Sequence, residues 1–250
     1  MTHAIYPSLV NKTVVVTGGG SGIGAELVAG FVRQKARVFF LDIAEESSRA
    51  LAAQLGNDVQ FFKCDITNIE ALRGTFAAIE EKGGPIHTLV NNAANDDRHK
   101  TMDVTPAYWD NRIAVNLRHQ FFATQAVVPS MKAAGGGSVI NLGSVSWHLG
   151  MADLAIYETA KAGIEGLTRA LARDFGPDRI RVNCVIPGAV RTPRQIALWH
   201  TPEEEAKILD QQCIKQRVDP IDIAAMVLFL ASDDARLCTG HNYWVDAGYR

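Results

Sequence analysis

Thr13-Val14-Val15-Val16-Thr17-Gly18-Gly19-Gly20-Ser21-Gly22-Ile23-Gly24 decides the fold. A run of β-branched residues passes directly into a glycine-rich loop, and a helical pattern, Gly22 to Gln34, follows at once. Glycines let the backbone turn tightly and approach a pyrophosphate closely, while the new helix aims its free N–H groups at the negative charge. A second apolar run, Arg37 to Leu41, ends in Asp42. A carboxylate there accepts both hydroxyls of an adenosine ribose and repels a 2′-phosphate, which favours NAD over NADP. Asp42 can instead cap the helix that begins near Ala44. Asp65, with Ile66 beside it, ends the third strand in the same way, where it meets an adenine edge or caps the helix after Thr67.

Farther out the same rhythm repeats. Val59 to Cys64, Ile86 to Val90, Ser138 to Leu142 and Ile180 to Ile186 read as strands, nearly continuous in apolar residues, as parallel strands covered on both faces are. Helical stretches separate them: Glu45 to Leu55, Asn68 to Lys82, Thr105 to Ala134 and Leu154 to Phe175. The expected class is α/β, a single Rossmann-type doubly wound parallel sheet of about seven strands, order 3-2-1-4-5-6-7, with helices on both faces. After Ile186 the rhythm breaks at Pro187, Gly188, Pro193 and Pro202, with a short helix at Glu203 to Gln212. The helix Ile221 to Ser232 and a last strand, Tyr243 to Val245, close the chain. No repeat or linker divides it. One domain over residues 1–250 is expected, with residues 188–218 as a lid over the C-terminal edge of the sheet.

Composition narrows the classes. Of 250 residues 47% are hydrophobic and 21% charged, and the net charge is −2, so no basic field advertises nucleic acid. The longest apolar run, Ala224 to Ala231, is too short to span a bilayer, and Met1 to Val10 shows no secretory signal. Four scattered cysteines, Cys64, Cys184, Cys213 and Cys238, form no metal-ligand spacing and suit a reduced, cytoplasmic protein.

Chemistry is carried farther along. Tyr157 and Lys161, four apart in a helical pattern, share one face. A tyrosine is a poor base because its pKa is about 10, and a nearby ammonium favours the phenolate. The pair alone also suits an ordinary solvated helix. Ser144 adds weight: it follows the fifth strand at the sheet edge where doubly wound folds bind ligands, placed to hold a substrate oxygen. Asn116 lies among apolar neighbours in Val115-Asn116-Leu117, either satisfying a backbone group or kinking the helix and joining Lys161 through water.

These residues, taken together and in order, resemble the short-chain dehydrogenase/reductase family over essentially the whole chain. The cofactor loop matches at Gly18, Gly22 and Gly24, with Gly20, Ser21 and Ile23 inside it. The family's Asn-Asn-Ala-Gly motif appears as Asn91-Asn92-Ala93-Ala94, and its Pro-Gly turn with a following threonine as Pro187, Gly188 and Thr192. Ala94 departs from the usual glycine, tolerable unless the backbone needs positive φ. The resemblance implies NAD held by the loop, by Asp42, Asp65, Ile66, Asn92, Ala93, Pro187, Gly188, Val190 and Thr192, and by Tyr157 and Lys161. It implies Tyr157 as base, Ser144 as oxygen holder and Asn116 as anchor of a water relay. Lys161 would bind the nicotinamide ribose and lower the tyrosine pKa. A homotetramer is also implied.

A closer resemblance is to the bacterial NAD-dependent aldose 1-dehydrogenases of that family, carried by Ala4-Ile5-Tyr6-Pro7-Ser8, Asn95-Asp96-Asp97-Arg98-His99, Ser146-Trp147-His148-Leu149-Gly150, Tyr157 to Gly166, Cys238-Thr239-Gly240-His241 and Tyr243-Trp244. It implies oxidation of a sugar, D-xylose first, at the anomeric carbon to a lactone. Asn95, Ser146, His148 and Gln195 are the candidates to bind sugar hydroxyls, with Ser144 and Tyr157 at the reacting oxygen and Trp199 closing the pocket. Two other readings stay open: a reductase or dehydrogenase of another alcohol, ketone or 3-oxoacyl thioester, and a non-catalytic NAD-binding sensor.

Overall fold

The computed structural model describes residues 4–249. Met1–His3 and Arg250, part of the expected single domain and, for the first three, of the stretch searched for a signal, lie outside the described residues. Seven parallel strands form one sheet in the order β3-β2-β1-β4-β5-β6-β7. They are β1 (Thr13–Thr17), β2 (Arg37–Asp42), β3 (Val59–Lys63), β4 (Ile86–Asn91), β5 (Gly137–Leu142), β6 (Ile180–Pro187) and β7 (Asn242–Val245). The helices are α1 (Gly22–Arg33), α2 (Glu45–Leu55), α3 (Ile69–Gly83), α4 (Pro106–Ile113), α5 (His119–Ala133), α6 (Ser146–Leu149), α7 (Ala155–Phe175), α8 (Pro193–Leu198), α9 (Pro202–Gln211) and α10 (Pro220–Ala231).

Alternate residues of each strand feed two cores. Val14, Val16, Val38, Phe40, Ile140 and Leu142 meet α1 and α10 on one face. Val15, Phe39, Leu41, Leu89, Val139 and Val182 meet α3, α5 and α7 on the other. Burying a side chain such as Phe31, Phe40 or Leu72 fully contributes about 1.5–3 kcal/mol. Both strand faces are therefore apolar, and the strands read as continuous hydrophobic runs. β7, at the sheet edge, is only half-buried along its length.

Two expected elements differ. The helix expected over 105–134 is broken by a π-helical turn, Ala114–Arg118. The Asn116 side-chain amide donates to the Arg112 carbonyl at 3.0 Å, competing there with the backbone ladder. Residues 188–218 hold two short helices, α8 and α9, rather than one. Thr192 caps α8 by accepting from the Gln195 N–H at 3.2 Å, and Thr201 caps α9 by accepting from Glu204 at 3.3 Å; each helix begins with proline. Among the described residues no helix is long and apolar enough to cross a membrane.

Candidate active site

The C-terminal ends of β1, β2, β4, β5 and β6 open onto one cavity of about 780 Å3. One end is built by the glycine loop. Gly18 and Gly22 adopt φ of +66° and +54°, the left-handed region that favours glycine. A Cβ on Gly18 would stand 2.8 Å from Ala93 Cα, and one on Gly24 would overlap the Gly18 carbonyl oxygen. Ser21 makes no side-chain cap on α1, so the first-turn N–H groups stay available to an anion. Asn92 braces the loop by donating to the Thr17 and Gly18 carbonyls at 3.0 and 2.9 Å.

Asp42 accepts from the backbone N–H of Gly20 at 2.8 Å and of Ala44 at 2.9 Å while still lining the cavity. It both ties the glycine loop to α2 and presents charge to a ligand. Asp65 accepts from the N–H and hydroxyl of Thr67, at 2.9 and 2.7 Å, while Asn68 caps α3 through Ala71 at 3.1 Å. Asp65 therefore shapes the turn before the helix rather than capping it. Gly20 does not line the cavity: its N–H is occupied by Asp42, and a Cβ there would collide with Ser48 Oγ. Gly18, Ser21, Gly22, Ile23, Gly24, Asp65, Ile66, Asn92, Ala93, Pro187, Gly188, Val190 and Thr192 all line it. Ala94 has no positive φ, so its methyl is tolerated.

Ser144, Tyr157 and Lys161 meet at the other end. Burial above all, then the Asp96 carboxylate, pushes Tyr157 above its ordinary pKa, and a hydrogen bond with Ser144 acts downward. The expected lowering by Lys161 is absent in the protein alone. The ammonium stands 5.4 Å from the Tyr157 ring centroid and donates to the Leu142 carbonyl at 2.8 Å. Burial lowers Lys161 to about 8, with Cys184 and Asp96 acting upward. Ser144 donates to Ser146 Oγ at 2.9 Å and accepts from the Ser146 N–H at 3.2 Å.

Asn116 is fully buried behind the wall rather than on it. Its carbonyl oxygen accepts from the Asn95 N–H at 2.8 Å, and its amide donates to the Asn95 and Arg112 carbonyls, both at 3.0 Å. It thus fixes the loop after β4 against the π-helical turn. It makes no side-chain hydrogen bond to Lys161, so any link between them runs through the backbone or a solvent molecule.

His148 is a correction, because it lies outside the cavity. Its Nε2 is 2.9 Å from Glu165 Oε1, and its ring makes tilted contacts with Trp147 and Trp244, with centroids at 3.6 and 4.3 Å. Glu165 also accepts from Trp147 Nε1 at 2.7 Å and from Asn242 Nδ2. This carboxylate on α7 ties α6 to β7 and holds His148 off the cavity wall.

Asn95, Ser146, Gln195 and Trp199 do line the cavity. Asn95 is also a turn residue, its Oδ1 accepting from the Asp97 N–H at 2.8 Å. Asp96, Arg98, Arg112, Arg194, His200 and Tyr249 also join the wall, none of them named among the candidates to bind cofactor or sugar. Asp96 accepts from Gln195 Nε2 at 2.6 Å and from Arg194 Nε at 3.3 Å, and Arg194 Nη2 reaches Asp97 at 2.6 Å. These bonds strap α8 to the loop after β4. The charged run Asp96-Asp97-Arg98 next to Asn95 was the available signal, but its partners lie about 98 positions on.

A family model described as "Enoyl-(Acyl carrier protein) reductase" matches residues 18–250. With this sheet order, loop and cavity, the chain belongs to the short-chain dehydrogenase/reductase family, whose dehydrogenases use a nicotinamide cofactor and act on small molecules. Within that family it is 64% identical over 253 residues, all of both chains, to D-xylose 1-dehydrogenase of Caulobacter vibrioides. It is 47% identical over 247 residues to a Rhizobium meliloti protein described as "Probable galactose dehydrogenase", covering 97% of this chain and 96% of that one. A solved short-chain type dehydrogenase/reductase from Mycobacterium ulcerans superposes with a TM-score of 0.92 at 25% identity, covering 97% of this chain and 90% of that one.

Proposed function

We propose that this chain is an NAD-dependent aldose 1-dehydrogenase that oxidises D-xylose, or a related aldopyranose, at the anomeric carbon to the lactone. One observation carries the reading: a single cavity joins the Asp42-braced glycine loop to Ser144, Tyr157 and Lys161, and around them polar Asn95, Asp96, Ser146 and Gln195 stand beside apolar Met151, Leu154 and Ile208. The polar groups can meet the hydroxyls of a sugar and the apolar ones its C–H faces. The names of the Caulobacter and Rhizobium relatives support a sugar.

The residues fit a dinucleotide. Gly18 and Gly24 let the loop fold tightly against Ala93 and on itself, and the uncapped start of α1 is left to face the pyrophosphate. Asp42 has two oxygens for ribose hydroxyls and a charge that repels a 2′-phosphate, which selects NAD. When bound, the nicotinamide ring supplies the hydride acceptor and its positive charge. Tyr157 takes the proton of the anomeric hydroxyl while Ser144 holds that oxygen; the C1 hydrogen leaves with its electron pair, and C1=O of the lactone forms. Lys161 would bind the nicotinamide ribose and, together with the positive charge of the bound ring, would favour the phenolate. Asn116 acts as a positioning residue through Asn95 and the π-helical turn. Residues 188–218 act as the substrate lid of a single domain. A cytoplasmic homotetramer completes the proposal.

NADH formation followed at 340 nm against a panel of aldoses, alcohols and ketones tests it. Aldoses should be the best substrates, with NAD preferred to NADP. Tyr157→Phe should lower kcat/KM by about 10²–10⁴-fold. Faster turnover of a non-sugar alcohol, or cofactor binding with no turnover of anything, overturns the reading.

A further inference from the structure

The turn that ends α8 carries two rings, an indole and an imidazole. Trp199 and His200 both line the cavity. Trp199 Nε1 is buried and has no hydrogen-bond partner among the described residues. Arg98 lies over its ring, 4.6 Å from the centroid, so the indole packs the wall with that face closed to a sugar.

His200 is buried, its side chain 6% exposed. Arg217 Nη2 lies 3.2 Å from its Nδ1. A guanidinium can only donate, so Nδ1 accepts, and in the neutral ring the proton sits on Nε2. Arg217 is itself held by the Ala189 carbonyl at 2.9 Å and by Glu205 at 3.2 Å. Glu205 is 3.7 Å from His200 Nδ1, too far to claim a proton there. Burial, then Arg217 and Arg191, hold His200 below its ordinary pKa, with only Glu205 acting upward, so the ring stays neutral.

We propose that His200 Nε2–H, its tautomer set by Arg217, donates to an oxygen lone pair of the substrate in the lid. This donor selects neutral sugars with an oxygen that accepts there and rejects a substrate that presents an ammonium at the same place. The inference rests on the aldose reading above and names a lid residue that discriminates among aldoses.

The test uses the isosteric logic of the two amides. His200→Gln carries an N–H near the position of Nε2, whereas His200→Asn keeps a polar group near Nδ1, the side that faces Arg217. All variants are compared on the aldose that the unmodified protein oxidises fastest. His200→Phe and His200→Asn are expected to lower kcat/KM by about tenfold, as the loss of one buried hydrogen bond does, while His200→Gln stays within about threefold. The cofactor Kd, from intrinsic fluorescence, should stay within about twofold in all three. The proposal stands only if His200→Gln exceeds His200→Asn by about fivefold or more, and any other pattern overturns it. A structural role through Arg217 alone predicts the reverse order. Absence of aldose oxidation by the unmodified protein is seen before any variant is compared; it refutes the functional reading and the donor role with it.

Discussion

Glu165→Leu should destabilise the protein through three donors at once. Trp147 Nε1 at 2.7 Å, His148 Nε2 at 2.9 Å and Asn242 Nδ2 all converge on this carboxylate, whose side chain is 12% exposed. A hydrogen bond to a charged group contributes about 1.5–3 kcal/mol, but partial exposure and shared geometry reduce the sum, so a loss of about 3 kcal/mol is expected. For a chain of this length about 1 kcal/mol corresponds to about 2–4 °C, which places the Tm about 6–12 °C lower. Glu165→Gln provides the control. Its carbonyl oxygen still accepts from Trp147, and its NH2 can donate to Asn242 Oδ1, which is buried without a partner and becomes available when that amide flips. About 1 kcal/mol, or about 2–4 °C, should be lost. Thermal melts by circular dichroism at fixed protein concentration read both variants. A Glu165→Leu protein that melts within about 2 °C of the parent, or a Glu165→Gln protein that is equally damaged, refutes the clamp.

Asp96→Asn removes a negative charge that raises Tyr157. A lower tyrosine pKa leaves more phenolate at a given pH, so the acid limb of the kcat/KM profile for oxidation should move to lower pH; a limb that stays in place or moves up contradicts the coupling. Asp42→Asn removes the repulsion of a 2′-phosphate, and the NADP/NAD ratio of kcat/KM should rise by at least about tenfold in steady-state assays. Gly24→Ala forces a Cβ into the Gly18 carbonyl, so cofactor affinity by fluorescence titration should fall by at least about tenfold while far-UV circular dichroism stays unchanged.

The sheet and the glycine loop were legible in the sequence because their determinants are contiguous. Apolar runs such as Val14–Val16 and Phe39–Leu41 bury both strand faces, and the run from Thr13 to Gly24 contains strand, turn and helix start together. Tyr157 and Lys161 were legible for the same reason, since helical spacing alone puts them on one face. The direction of side chains in loops depends on partners far away in the chain, and only the tertiary structure decided it. Glu165 holds His148 off the cavity wall, Arg194 and Gln195 recruit Asp96 into the site, and Arg217 sets the hydrogen-bonding sense of His200. Even the sign of the shift on Tyr157 was decided this way. Spacing promised a neighbouring ammonium, but burial and Asp96 set the balance in the folded chain, because a charge acts through distance and desolvation rather than through position in the sequence.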